Sequence, residues 1–482
     1  MAARFIRAAS SIRISEDSFT SIGGKRNYEK QKNGSGGQRE IGISHCHEVN
    51  PRIDRGVVLG SRIEHGLKQL RKELEILHQE TSSFYSRHIV TEQGTVEGVL
   101  QISGGKMTEL ILHPTSQQIA QAKDFGDERI FAGIIDLHSH GYHSWSAKTI
   151  DSEEIQGLSK ILPSIGVTAT LATTTGWKEH EMDMLSAIAG ALEQGVSGTR
   201  ILGIHMEGPF FNPDKHNATP RGEVIPPSVQ KCEAYWQAAR GKIRYMTLAP
   251  EIEGADETIR WLRDHNIVAG AGHTLASDQQ MQKAIAEGIQ VSIHTGNAMR
   301  QIDRRDIGAL GAALLDPDVI CEIICDFYHI APRMLEIMFR VKNNFDKFIM
   351  ISDSDTLSGV APGTYFAYGK RVNVHADGRI LLDDGTISGS SKFVLYGMEN
   401  LIEKLGIPAH IVSRMASLNP AKLLGMENQK GSIAAGKDAD FFIVNDRYEV
   451  QETWVEGRLV YKKTDIIETN KHFSQFCRKL DS

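Results

Sequence analysis

From Phe131 to Asp353, short apolar runs alternate with longer amphipathic stretches. Eight runs stand out: Phe131–Asp136, Thr168–Thr173, Ile201–His205, Ile243–Leu248, Ile267–Ala271, Val291–His294, Val319–Cys325 and Phe348–Ser352. Runs that stay apolar without alternating suit strands buried on both faces of a parallel sheet. The stretches between them, such as Glu179–Leu192 and Ala255–Asp264, read as amphipathic helices. Eight β–α alternations within about 230 residues predict a (β/α)8 barrel.

The flanks follow another rhythm. HIVTEQ, TVEGVLQI and, after the Gly104-Gly105 turn, MTELILHP read as short strands ahead of the barrel. Behind it, 363–382 is β-rich, with turn signals at Lys370-Arg371 and Asp383-Asp384-Gly385. A helical hairpin is expected over 400–424, and Asp438–Asn445 and Glu449–Tyr461 read as strands. The fold class is therefore α/β, a (β/α)8 barrel with a small β-sandwich domain built from segments before and after the barrel. The expected division is 85–130 for the first part of the sandwich, 131–360 for the barrel and 361–384 for a further sandwich part or a barrel insertion. Residues 385–430 are expected as C-terminal barrel helices, 431–465 as the second sandwich part and 466–482 as a C-terminal tail.

Residues 1–65 differ from the rest. Met1–Ser15 carries Arg4, Arg7 and Arg13, several serines and no acid, a composition shared by transit peptides and disordered tails. A disordered or targeting extension is expected there. An amphipathic helix follows over 66–84, from Leu67, Leu70, Leu74 and Leu77 at helical spacing. The His45-Cys46-His47 triplet has no second ligand pair nearby and is not taken as a metal site.

Composition narrows the classes. Of 482 residues, 40% are hydrophobic and 24% charged, as in ordinary globular proteins. No run approaches the roughly 18 apolar residues of a membrane span. With 54 basic against 60 acidic residues, the net charge of −6 offers no footprint for nucleic acid. Neither nucleic acid nor membrane is expected as a partner. Five scattered cysteines argue against a disulfide framework and for a reducing compartment. The cytoplasm is the default, the transit-like start leaving an organelle open.

The nineteen histidines matter by position. Barrel active sites form at the C-terminal strand ends. The first run ends in Asp136-Leu137-His138-Ser139-His140, the third in Gly203-Ile204-His205-Met206-Glu207, the fifth at His273 and the sixth at His294. The seventh runs into Asp326-Phe327-Tyr328-His329 and the eighth ends at Asp353. Taken singly, each has a plain structural role as a core histidine or a turn-capping acid. Jointly, at six of eight strand ends, they predict a metal site. Imidazole and carboxylate ligands suit zinc, and less selectively iron or manganese. Bound water there can reach a pKa of about 7, and Asp353 is placed to move its proton.

At these residues the chain resembles the N-acetylglucosamine-6-phosphate deacetylase family of the amidohydrolase superfamily. The matching segments are GIIDLHSHG, GVTATLATTT, GIHMEGPFFNP, TLAPE, AGHTLAS, HTGNAM, RDIGALGAAL, SDSD, GTISGSS, MASLNPAKLLG and GSIAAGKDADFFIV, in order over residues 85–465. The resemblance implies Glu207, His273 and His294 as main metal ligands, with His138 and His140 adding a second metal beside the first. It implies Asp353 as the catalytic aspartate and His329 as a substrate contact. Asn297, Ala298 and Arg305 take the places that meet the sugar phosphate, the arginine reaching in from a neighbouring subunit, which implies a homodimer. The implied cofactor is a divalent metal, one or two ions per subunit, zinc first, with iron, manganese or cobalt as alternatives.

The implied reaction is deacetylation of N-acetylglucosamine 6-phosphate to glucosamine 6-phosphate and acetate. The alternatives are another N-acetyl amino sugar, such as N-acetylgalactosamine 6-phosphate, or another N-acyl or cyclic amide. A silent scaffold that only binds a sugar phosphate is opposed by the intact ligand set and Asp353. Departures fall in the substrate region. Thr219 stands where the family has a substrate-contacting histidine, and His216 is the nearby substitute. Gly296, Tyr142-His143-Ser144 and Asp355 also differ from the family pattern.

Overall fold

The computed structural model describes residues 81–175, 177–467 and 476–480. The N-terminal extension, the His45-Cys46-His47 triplet and most of the helix expected over 66–84 lie outside them. The end of that stretch is strand: β1 (Ser82–Val90) pairs antiparallel with β2 (Thr95–Ser103), which pairs with β3 (Lys106–Leu112).

Eight parallel strands form the centre of the molecule. They are β5 (Ile134–Ser139), β6 (Val167–Thr175), β7 (Arg200–Phe210), β8 (Ile243–Leu248), β9 (Val268–Ala271), β10 (Ile289–Ser292), β11 (Ile320–Ile323) and β12 (Phe348–Met350), paired in chain order. A parallel bridge between Ser139 and Ser354 joins the eighth strand's end to the first and closes the ring. Ile135, Leu137, Leu171, Tyr245, Ile293 and Ile351 belong to an inner cluster below the site. A larger cluster packs strands against helices, such as α1 (Ser152–Ile161) and α2 (Glu181–Gln194). The helices start and stop by local chemistry. In α1 the Asp151 side chain accepts from the Glu153 N–H. In α3 (Pro332–Lys342) proline opens the first turn and Asn343, at φ +48°, ends the last.

The first apolar run is split. Phe131 belongs to β4 (Arg129–Ala132), which pairs with β1 in another sheet, and the barrel strand begins at Ile134. Gly133 is the joint: a Cβ there would lie 2.0 Å from Thr168 Oγ1 and 2.6 Å from its Cβ. Gly133→Ala is therefore expected to destabilise the protein by about 1–3 kcal/mol through overpacking, read as a lower denaturant midpoint. An unchanged midpoint would mean that Thr168 yields without strain.

β4 also pairs antiparallel with a strand of the distal segment, Phe441–Val444, which the chain reaches only after an insertion. That insertion is β13 (Gly363–Ala367), β14 (Lys370–Val374), β15 (Arg379–Leu382) and β16 (Ile387–Ser390), a separate antiparallel sheet. The distal segment supplies β17 (Phe441–Val444), β18 (Val450–Val455) and β19 (Arg458–Lys462), giving the order β19-β18-β17-β4-β1-β2-β3. Segments before and after the barrel thus share one sheet, with Phe84, Phe441 and Trp454 packed at its core. β20 (Cys477–Lys479), within the stretch expected as a tail, pairs with β13 at the edge of the insertion sheet. Among the described residues no helix is long and apolar enough to cross a membrane.

Candidate active site

The C-terminal strand ends converge on Glu207. Its Oε1 lies 3.2 Å from Nε2 of both His273 and His294 and 3.4 Å from Nε2 of His138, while Oε2 lies 3.1 Å from His140 Nε2. Asp353 Oδ1 is 3.6 Å from His138 Nε2 and 3.5 Å from His140 Nε2. Ring closure puts it there: the Asp353 N–H donates to the His138 carbonyl at 2.9 Å. His273, His294 and Asp353 all adopt positive φ, at +47°, +25° and +47°. Such conformations are disfavoured for these residue types and persist where the surroundings fix them, as at ligand clamps.

Two groups that could each hold a metal ion, His138–His140–Asp353 and Glu207–His273–His294, share this centre. Two observations test whether they fit a cation. His138 Nε2 is buried without a hydrogen-bond partner. The Nε2 atoms of His273 and His294 face each other at 3.2 Å. Nitrogens crowded on one carboxylate in this way fit a shared cation, and the donor set suits a divalent metal. Burial alone would raise the Glu207 pKa, but the imidazoles, His138 foremost, hold it well below the usual carboxylate range. The group is thus kept anionic, as a ligand must be.

Behind these two groups stands Glu322, in β11 and fully buried. Its Oε2 lies 3.2 Å from His138 Nδ1 and accepts the His294 backbone N–H at 3.2 Å. One carboxylate thereby fixes the His138 ring and the His294 backbone. Glu322→Gln is expected to weaken metal affinity about 10- to 100-fold while turnover at saturating metal largely survives. Calorimetric metal titration beside an activity assay checks this, and unchanged affinity would leave Glu322 only a packing role. An acid inside the apolar run Val319–Cys325 was the sequence signal for it. His205, stacked on Tyr245 at 4.1 Å and 4.6 Å from the His138 ring, supports the same wall.

A cavity of about 430 Å³ opens above the centre, lined by His140, Glu207, His273, His294, Asn297, Ala298, His329, Asp353 and Thr219. His329 is oriented by Asp326, whose Oδ2 lies 2.8 Å from its Nδ1. Burial disfavours the His329 cation, yet Asp326 outweighs it and raises the pKa. His138 lies behind the lining, fully buried. His216 is turned back, its Nδ1 2.6 Å from the Thr219 carbonyl, and is not part of the wall. Arg305 is exposed and also outside the wall of its own chain's cavity. Lys148, Trp177, Tyr368 and Lys370 line the cavity without having been singled out as site residues from the sequence.

A closed (β/α)8 barrel with a histidine–carboxylate cage and an acid at its eighth strand end defines a metal-dependent hydrolase. The chain belongs to the amidohydrolase family, whose pattern matches residues 129–460, and within it to the N-acetylglucosamine-6-phosphate deacetylases. It is 34% identical over 385 residues to such a deacetylase of Bacillus subtilis (strain 168), covering 77% of this chain and 95% of that one. It is 28% identical to an N-acetylgalactosamine-6-phosphate deacetylase of Escherichia coli O157:H7, covering 78% and 98%. The crystal structure of N-acetyl-D-glucosamine-6-phosphate deacetylase from Mycobacterium smegmatis superposes with a TM-score of 0.74 at 26% identity, over 79% of this chain and all of that one.

Proposed function

We propose that this enzyme removes the acetyl group of N-acetylglucosamine 6-phosphate, giving glucosamine 6-phosphate and acetate. The observation that carries this reading is the single-carboxylate cage around Glu207 facing Asp353 across the cavity floor. Glu207, His273 and His294 would hold a divalent metal, with His138 and His140 holding a second beside it. Zinc suits this donor set first, with iron, manganese or cobalt as alternatives. A bound ion supplies Lewis acidity, polarising an amide carbonyl and lowering the pKa of water to about 7. Asp353 takes the proton of the attacking water and delivers it to the departing nitrogen. His329, with Nδ1 committed to Asp326, turns its other nitrogen to the substrate.

Asn297, Ala298 and Thr219 form the wall assigned to the sugar phosphate, where His216 adds nothing directly. Arg305 fits the same task only from a second copy of the chain, since it stands exposed outside its own cavity. A homodimer in which each Arg305 clamps the neighbour's phosphate satisfies this. The likeness to an N-acetylgalactosamine-6-phosphate deacetylase supports the epimer as the second reading. Acetate release from both sugar phosphates, beside unphosphorylated N-acetylglucosamine, tests the proposal. Strong preference for N-acetylglucosamine 6-phosphate upholds it. Metal binding without turnover of any of the three overturns it.

A further inference from the structure

The cavity lining divides by the strands that carry it. Asn217 and Thr219 follow β7, His273 follows β9, and Asn297 and Ala298 follow β10. Lys148 follows β5, Trp177 follows β6, and Asp355 with the insertion sheet follows β12. Ring order makes β12, β5 and β6 neighbours, with β9 and β10 opposite. An amide carbon at the centre has two substituents to place. The sugar phosphate is assigned above to the loops after β7 and β10, so the acyl group points toward β12, β5 and β6; this direction rests on that reading.

An acetyl methyl needs only an apolar wall, and Trp177 and Ile387 offer one. The sector holds more than that. Lys148 Nζ lies 3.0 Å from Asp355 Oδ2, with the two side chains 13% and 11% exposed. The same ammonium sits 4.9 Å from the centre of the Tyr368 ring. Lys370, half-buried at the start of β14, has no ion pair among the described residues. Burial and then the charge of Lys148 push its pKa down to about 8, against a weaker pull from Asp355 and Asp384. The lining carboxylate of this sector, Asp355, is thus committed to Lys148, and Lys370 has no carboxylate in contact among the described residues. A half-buried cation without a counterion gains most from an anion that enters its pocket.

We propose that Lys370, backed by Lys148, seats a carboxylate at the far end of a longer acyl group, so that the enzyme also hydrolyses N-carboxyacyl amides of the succinyl type. The amide C–N bond breaks, water adds its hydroxyl to the acyl carbon and its proton to the nitrogen, and a dicarboxylate leaves beside the amine. No co-reactant other than water is required.

The test compares kcat/KM for N-succinyl- and N-acetylglucosamine 6-phosphate in the metal-loaded wild type, Lys370→Met and Lys370→Arg. Wild type is expected to turn over both substrates. Lys370→Met should lower the succinyl-to-acetyl ratio by about tenfold or more, chiefly through KM, and Lys370→Arg should restore part of it. Absence of succinyl turnover in protein that releases acetate overturns the inference and leaves the deacetylase reading standing. An unchanged ratio in Lys370→Met overturns it too. A drop instead in preference for the phosphorylated over the unphosphorylated acetyl sugar would assign the lysines to phosphate and overturn it. If neither substrate is turned over, the deacetylase reading fails, and calorimetry with succinate and acetate decides the seat separately. Tighter binding of succinate that Lys370→Met abolishes upholds the seat, and equal binding of the two anions overturns it.

Discussion

Asp353→Asn is expected to lower kcat by about 10²- to 10⁴-fold, the usual weight of a positioned general acid–base group, while metal content stays at the wild-type level. Asparagine is the right probe because the backbone at 353 has φ +47°, a region that asparagine tolerates better than most residues. The backbone N–H that donates to the His138 carbonyl is kept, so ring closure survives. What changes is the atom facing His138 and His140, which can no longer take a proton and pass it on. Burial would raise the Asp353 pKa, but His138 and His140 reverse this and keep the carboxylate ionised. Metal analysis, circular dichroism and steady-state kinetics on one preparation check the prediction. A variant that keeps near-wild-type kcat would remove Asp353 from the chemistry. One that loses its metal would make it a ligand first.

The barrel and the histidine–carboxylate cluster at its rim were legible for one physical reason. A strand buried on both faces is written as an unbroken apolar run, and the residue that ends it is the one delivered to the catalytic rim. His273, His294 and Asp353 each follow such a run, and all three meet at Glu207 or beside it. The same rule failed at Phe131–Asp136, because apolarity does not say which of two sheets a residue enters. Only Gly133, where no side chain fits against Thr168, marks the crossing. Lys148 and Lys370 were opaque for another reason. They stand together only because the loop after β5 and the insertion after β12 fold over one rim, and no local pattern encodes that meeting. Counting forward from Glu207 placed Thr219 in the wall, but the turn of His216 away from the wall and onto a carbonyl depended on loop geometry.

Glu207→Gln should have the widest effect, removing metal and activity together. Four imidazoles, drawn from both groups, lie within 3.4 Å of this one carboxylate. A neutral amide cannot balance the charge of a cation there, and its NH₂ would point a donor at nitrogens that must themselves donate lone pairs. Stability reports the loss independently of turnover. A ligand that binds only the folded state stabilises it by about 2.7 kcal/mol when present at 100 times its Kd. Wild-type Tm is therefore expected to rise with added metal and fall with chelator, whereas the variant should ignore both. The apo wild type and the variant need not melt alike, because four buried imidazoles lose a carboxylate that they all approach when Glu207 is neutralised. The decisive observable is the metal dependence of Tm in each protein, not the absolute midpoint. A variant that still binds metal stoichiometrically with wild-type affinity would show that the histidines suffice, and Glu207 would have to be reassigned from metal ligand to a partner of the substrate.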